Sequence, residues 1–190
     1  MSPRRGLDLK VILETAAEIA NTEGVEAITL AALAKKLHIK PPSLYNHIDG
    51  LSGLQSKLAV FGLEQLLKEL TKASVGRAGD EAVQSLAEAY VSFARKQPGL
   101  YQLTLKAPKE EDTDYHAVAN ELVELLFGIF RAYHLNDEAA IHAVRGIRSI
   151  LHGYTTLEQK GGFGLSIDLD VSLRFMIDTF LAGIKSANRK

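Results

Sequence analysis

The sequence predicts an all-α protein of about nine helices, and three observations carry that expectation. Apolar residues recur at i, i+3, i+4 and i+7 along most of the chain, the spacing of one helical face. No apolar–polar alternation of useful strand length appears. Breakers and starters cut the helical pattern at Gly24, Asp49-Gly50, Gly76 to Gly79, Pro98-Gly99 and Gly161 to Gly164. The pattern divides into a short N-terminal part, residues 1–50, and a larger helical part, residues 51–190.

The first helix covers Asp8 to Glu23, with Leu9, Ile12, Leu13, Ala16, Ile19 and Ala20 as its apolar stripe and Gly24 able to end it at positive φ. Thr29 is placed to cap a second helix carrying Leu30, Leu33, Ala34 and Leu37 on one face. His38-Ile39-Lys40 is a turn, and Pro41-Pro42 suits a helix start because proline lacks the N–H that would be unpaired there. Leu44 and Ile48 face inward, which leaves Ser43, Asn46 and His47 outward with Tyr45 at the edge. Beyond Asp49-Gly50, Ser52 caps a helix from about Gly53 to Ala73 that is apolar on more than one face. Such a helix fits an element shared by two domains, and a rigid one would act as a lever on the N-terminal part.

Asp80 is expected to cap a helix reaching Lys96, and a short helix spans Leu100 to Leu105. The charged stretch 106–114 is a loop, followed by helical residues 115–134. Asn136 caps a helix to about Lys160, and Asp170 starts the last one, ending near Ala187.

The chain has 190 residues, 46% hydrophobic and 24% charged, enough to bury a core. Its net charge is −1, so nucleic-acid binding must rest on a local patch. Cysteine is absent, which excludes disulfides and thiolate chemistry. No window approaches a membrane span and no leader-like apolar run follows Met1, so the reading is a soluble, cytoplasmic protein without a membrane partner.

A local patch exists. From Ala27 to Ile48 there is no acid, while Lys35, Lys36 and Lys40 are present with His38 and His47. Two short helices joined by a tight turn, the second presented outward on an acid-free surface, form a helix-turn-helix pattern suited to a DNA major groove. An ordinary helical hairpin with a solvated lysine face gives the same pattern. The arm SPRRG at 2–6 offers Arg4 and Arg5 to phosphates or a minor groove, or is simply a solvated terminus.

Thr29, LAKKL at 33–37 and SLYNHI at 43–48 resemble the DNA-binding domain of the tetracycline-repressor (TetR) family of transcriptional regulators. The similarity runs back through ILETAAEIANTEGVEAIT at 12–29 and, more weakly, forward through HGYTTLEQKGGF at 152–163. The resemblance implies a three-helix DNA-binding domain, a C-terminal helical bundle for ligand binding and dimerisation, and an inducing small molecule. Two departures stand out: His38 occupies the turn where members usually have Gly, and Leu51 stands where many carry Lys.

On this reading Arg4, Arg5, Thr29, Lys40, Pro41, Pro42, Ser43, Tyr45, Asn46 and His47 form the DNA surface. Lys40, Tyr45 and His47 contact phosphates, while Pro42, Ser43 and Asn46 face bases. The last two long helices carry surplus apolar surface, from which Ile147, Leu151, Tyr154, Phe175, Phe180 and Leu181 are the expected homodimer face. Tyr90, Phe93, Tyr101, Leu105, Phe127 and His152 are candidate walls of an effector pocket, and core packing is an alternative for each.

Catalysis finds little footing. The histidines have no HxxxH or HExxH spacing, and the Gly161–Gly164 run lacks a following Lys-Ser/Thr, so neither a metal nor another cofactor is expected. Arg145, Arg148 and His152 share a face that suits a dimer contact or solvent. Three functions remain: a ligand-responsive DNA-binding repressor, an all-α carrier or enzyme whose hairpin is only structural, and a regulator answering to a protein partner.

Overall fold

A computed structural model describes residues 7–105 and 112–187, and among them there are eight α-helices, three 3-10 helices and no strand. The helices are α1 (Leu9–Glu23), α2 (Leu30–Lys36), α3 (Gly50–Ser74), α4 (Gly79–Lys96), α5 (Pro98–Thr104), α6 (Thr113–Phe130), α7 (Asp137–Gln159) and α8 (Leu169–Ala187). The 3-10 helices are Val25–Ala27, Pro41–Asn46 and Arg131–Tyr133. The expected all-α, nine-helix order is therefore observed, with Pro41–Asn46 in the third place. No helix of the described residues is long and apolar enough to cross a membrane.

The chain forms two compact units, neither continuous in sequence: Met1–Glu64 with Lys96–His116, and Gln65–Arg95 with Ala117–Lys190. Residue 50, the expected boundary, falls inside the first.

In the first unit α1 is started by Asp8, whose carboxylate accepts the Val11 N–H at 2.8 Å, and stopped by Gly24 at φ 93°. Its inner face, Ile12, Ala16 and Ile19, meets Ile28, Leu33, Leu44, Leu54 and Leu58 in a core of fully buried aliphatics. Each such side chain contributes about 1.5–3 kcal/mol by leaving water. Unforeseen was the attachment of α5 to α1. Asn21 Oδ1 accepts the Leu100 N–H at 3.0 Å, capping α5 from another helix, while its amide donates to Gln97 Oε1 at 3.3 Å. A Cβ on Gly99 would lie 2.0 Å from the Ala20 carbonyl oxygen, so only glycine allows this approach.

Three caps differ from expectation, those of α3, α4 and α8. α3 begins at Gly50 instead of Gly53, because Gly50 turns the chain at φ 69° and the Gly53 N–H already bonds the Asp49 carbonyl at 3.2 Å. Asp80 lies inside the first turn of α4, where its carboxylate takes hydrogen bonds from Tyr133 Oη at 2.8 Å and from Lys185 Nζ.

The second unit packs α4, α6, α7 and α8 around Leu86, Tyr90, Phe93, Phe130, Ile147, Leu151, Tyr154, Leu173, Ile177 and Leu181. Asn136 caps α7 as expected, accepting the Ala139 N–H at 2.8 Å. α8 is capped by Asp168, not Asp170: its carboxylate accepts from the Asp170 and Val171 N–H groups. Asp170 instead pairs with Arg95 at 2.7 Å. Arg95 also grips Glu158 at 2.8 Å, and these contacts hold its guanidinium well above the usual arginine range.

Candidate nucleic-acid interface

The exposed face of the first unit is built from α2 and the Pro41–Asn46 helix. Thr29 Oγ1 accepts the Ala32 N–H at 3.0 Å, fixing the start of α2. Its end is fixed by a Schellman motif: the Ile39 N–H reaches the Ala34 carbonyl at 3.0 Å and the His38 N–H reaches Lys35 at 3.2 Å. That closure needs a left-handed residue, and His38 supplies it at φ 55°, bearing a strain glycine would avoid.

Lys40 then enters extended, at φ −84° and ψ 139°, and Pro41 occupies the first helical position. The expected α-helix is a 3-10 helix ending at Asn46. Its bonds run from the Ser43 N–H to the Lys40 carbonyl at 3.0 Å and from the His47 N–H to Leu44 at 2.9 Å. Pro41 and Pro42 sit where an N–H would be unpaired in any case, and in an element of only six residues the turns close by i→i−3 bonds. Leu44 is 0% exposed and Ile48 is buried behind it, so one apolar anchor holds the element. Outward stand Lys40, Pro41, Pro42 and Asn46, with Tyr45 60% exposed; Ser43 and His47 are half-buried. Of the flanking lysines, Lys36 is tied to Glu18 at 2.9 Å and Lys35 is exposed. Thus eight of the ten expected DNA residues lie on this surface or its cap, while Arg4 and Arg5 lie outside the described residues.

The other predicted sites divide. Ile147, Leu151, Tyr154 and Leu181 are buried within their own unit, where they have no surface to give a second subunit. Positions 147, 151 and 154 are the inward stripe of α7, and 173, 177 and 181 that of α8. Phe180 is half-buried, edge-on to Phe130 with ring centroids 6.5 Å apart and wedged over Gly146. Phe175 remains 71% exposed, beside Val171 and Met176 on the outer face of α8.

Among the pocket candidates, Tyr101 and Leu105 belong to the first unit, and Tyr90, Phe93, Phe127 and His152 to the second. Tyr90, Phe93 and Tyr101 are buried; Leu105 is exposed. None of the six lines the cavity of about 630 Å³ found in the first unit, which lies against α1, the N-terminal half of α3 and the start of α6. Its lining was missed because Leu9, Leu13 and Phe61 read as ordinary core; the second apolar face of α3 was the only signal. No cluster of His, Asp and Glu among the described residues suits a metal ion.

A capped helix, a fixed turn and an exposed polar element on a single apolar anchor define a helix-turn-helix protein. Residues 83–180 match the family described as Tetracyclin repressor-like, C-terminal domain. The whole chain is 44% identical to YobS, an HTH-type transcriptional regulator of Bacillus subtilis, covering 98% of it. An HTH-type transcriptional regulator of Mycobacterium tuberculosis is 32% identical over 94% of this chain and 82% of its own. Among solved structures, one from Rhodococcus sp. RHA1 shares the fold at TM-score 0.79 and 23% identity, covering 96% of this chain and 98% of that one. A TetR variant of Acinetobacter baumannii in complex with minocycline shares it at TM-score 0.70 and 20% identity, covering 96% and 98%.

The chain belongs to the TetR family of transcriptional regulators.

Proposed function

We propose that this regulator is a repressor that binds a near-palindromic operator as a homodimer and is released by a small molecule. The observation that carries the reading is the Pro41–Asn46 helix, polar outward and anchored by buried Leu44, in a stretch free of acids. Lys40, Tyr45 and His47 meet phosphates and set register, with Thr29 and the arm residues Arg4 and Arg5 beside them. Asn46 pairs with an adenine edge, while Pro42 and Ser43, following Pro41, line the same groove.

The domain division is residues 1–50 for DNA and 51–190 for effector and dimer. The outer face of α8, with Phe175, Val171, Met176 and the exposed edge of Phe180, is the proposed dimer surface, since surplus apolar area on a helix is covered by a partner. Two-fold symmetry then sets the half-sites roughly 34–36 Å apart, centre to centre. The effector is held in the second unit by Tyr90, Phe93, Phe127 and His152, whose apolar bodies and polar tips suit a small organic molecule.

Selection of bound duplexes from a random DNA pool, at a stated salt concentration, tests this reading. Recovery of a near-palindrome bound by two subunits is expected. Only sequence-blind, salt-sensitive binding would contradict it.

A further inference from the structure

We propose that the cavity of the first unit is the docking groove for the chain's own basic arm, residues 2–6, in the DNA-free protein. The groove has an apolar floor, with Leu13, Val60 and Phe61, and a rim of carboxylates from Asp49, Glu64, Asp112 and Asp114 set against one cation, Lys57. Asp49, Glu64 and Asp114 are exposed and make no ion pair with another described residue. Such a surface fits a group with an aliphatic body and a permanent positive charge, which is the construction of an arginine side chain.

The arm SPRRG brings two arginines to that place. Leu9, the first residue of α1, itself lines the groove. Arg5 and Arg4 precede it by four and five positions, so at about 3.3–3.6 Å per extended residue both have roughly 13–18 Å of reach before the side chain is counted. Gly6, free to take either sign of φ, lets the chain turn back over α1.

The consequence rests on the proposed DNA contacts, the docking itself does not. The two arginines offered to phosphates are held by carboxylates in the free protein, so groove and DNA compete for one arm. The acidic rim thereby lowers affinity for any duplex and leaves sequence preference to Asn46.

The cysteine-free chain makes the test direct: a Ser2→Cys protein carries one spin label, and paramagnetic broadening of backbone amides is measured on the full-length, DNA-free protein. Broadening is expected at Val60, Phe61 and Tyr115. It should vanish both in an Asp49→Asn/Glu64→Gln/Asp114→Asn protein and in an Arg4→Ala/Arg5→Ala protein, the second leaving the groove untouched. Absence of broadening at the groove, or its survival in either variant, overturns the proposal. Broadening that scales with protein concentration would assign the groove to a second copy's arm and overturn it too. If docking holds, the groove-neutralised protein binds duplex about two- to fivefold tighter, as expected for losing a pair of partly screened ion pairs.

Discussion

The two compact units are joined internally by different means. In the first, the joint of α5 with α1 and α3 is steric and neutral, although Lys36 of α2 pairs with Glu18 of α1: Gly99 lies against the Ala20 carbonyl, Gly62 faces Thr104, and Asn21 caps α5. In the second, helices are tied by charge: Arg95 to Glu158 and Asp170, Lys185 to Asp80, and Arg174 to Glu88. A close-fitted joint tolerates salt and pH and fails abruptly on added volume. Charged ties at the surface weaken gradually with ionic strength and acid. The unit that carries the helix-turn-helix is thus the one whose α1–α5 joint rests on close fit.

The largest test of that contrast is Gly99→Ala. A methyl placed 2.0 Å from a carbonyl oxygen cannot be absorbed by a rotamer change, so α5 must shift. A loss of about 3 kcal/mol is expected in urea unfolding, nearly independent of salt. Arg95→Met attacks the other unit. Its side chain is 37% exposed, so the pairs are partly screened and the expected cost is about 1 kcal/mol, shrinking as salt is raised.

A smaller change of opposite sign is expected from His38→Gly. Relief of the left-handed histidine at the turn should stabilise the first unit by about 0.5–1 kcal/mol, read as a rise in melting temperature. Acid gives the gentlest test. The Lys185 ammonium, with Tyr133 behind it, holds the Asp80 carboxyl below the usual carboxylate range. The unfolded chain then takes up that proton at higher pH than the folded one, so the stabilisation is present above about pH 4 and lost as pH falls through the folded value. An Asp80→Asn protein should show a flatter stability profile below about pH 4 than the parent.

Local signals in the sequence were legible because they act over one turn. Thr29 and Asn136 cap the helices they were expected to cap, and Gly24 stops α1. Signals that depend on distant partners were not legible. Asp80 looks like a cap until Lys185, 105 positions away, claims its carboxylate, and Asp170 until Arg95 does. Nothing along the chain announces that Asn21 caps a helix at Leu100. The α7 and α8 residues were expected at a subunit face because both helices are apolar on two sides. Periodicity cannot say which side turns inward; packing chose 147, 151, 154 and 181, leaving Phe175 outside. The inward residues of the helix-turn-helix were readable, since Leu44 and Ile48 are buried as expected, but the outward set was only partly so: Asn46 is exposed, Ser43 and His47 are half-buried, Tyr45 stands further out than the edge, and the element closes as a 3-10 helix.

The central claim is that Asn46 reads a base while Lys40 only positions the protein. The most direct measurement is titration of the parent, Asn46→Ala and Lys40→Ala proteins with the selected duplex and with a scrambled one over a range of salt. Asn46→Ala should cost about 1–3 kcal/mol on the selected duplex and little on the scrambled one. Lys40→Ala should weaken both alike and flatten the salt slope by about one unit. Equal weakening of both duplexes by Asn46→Ala would contradict the assignment.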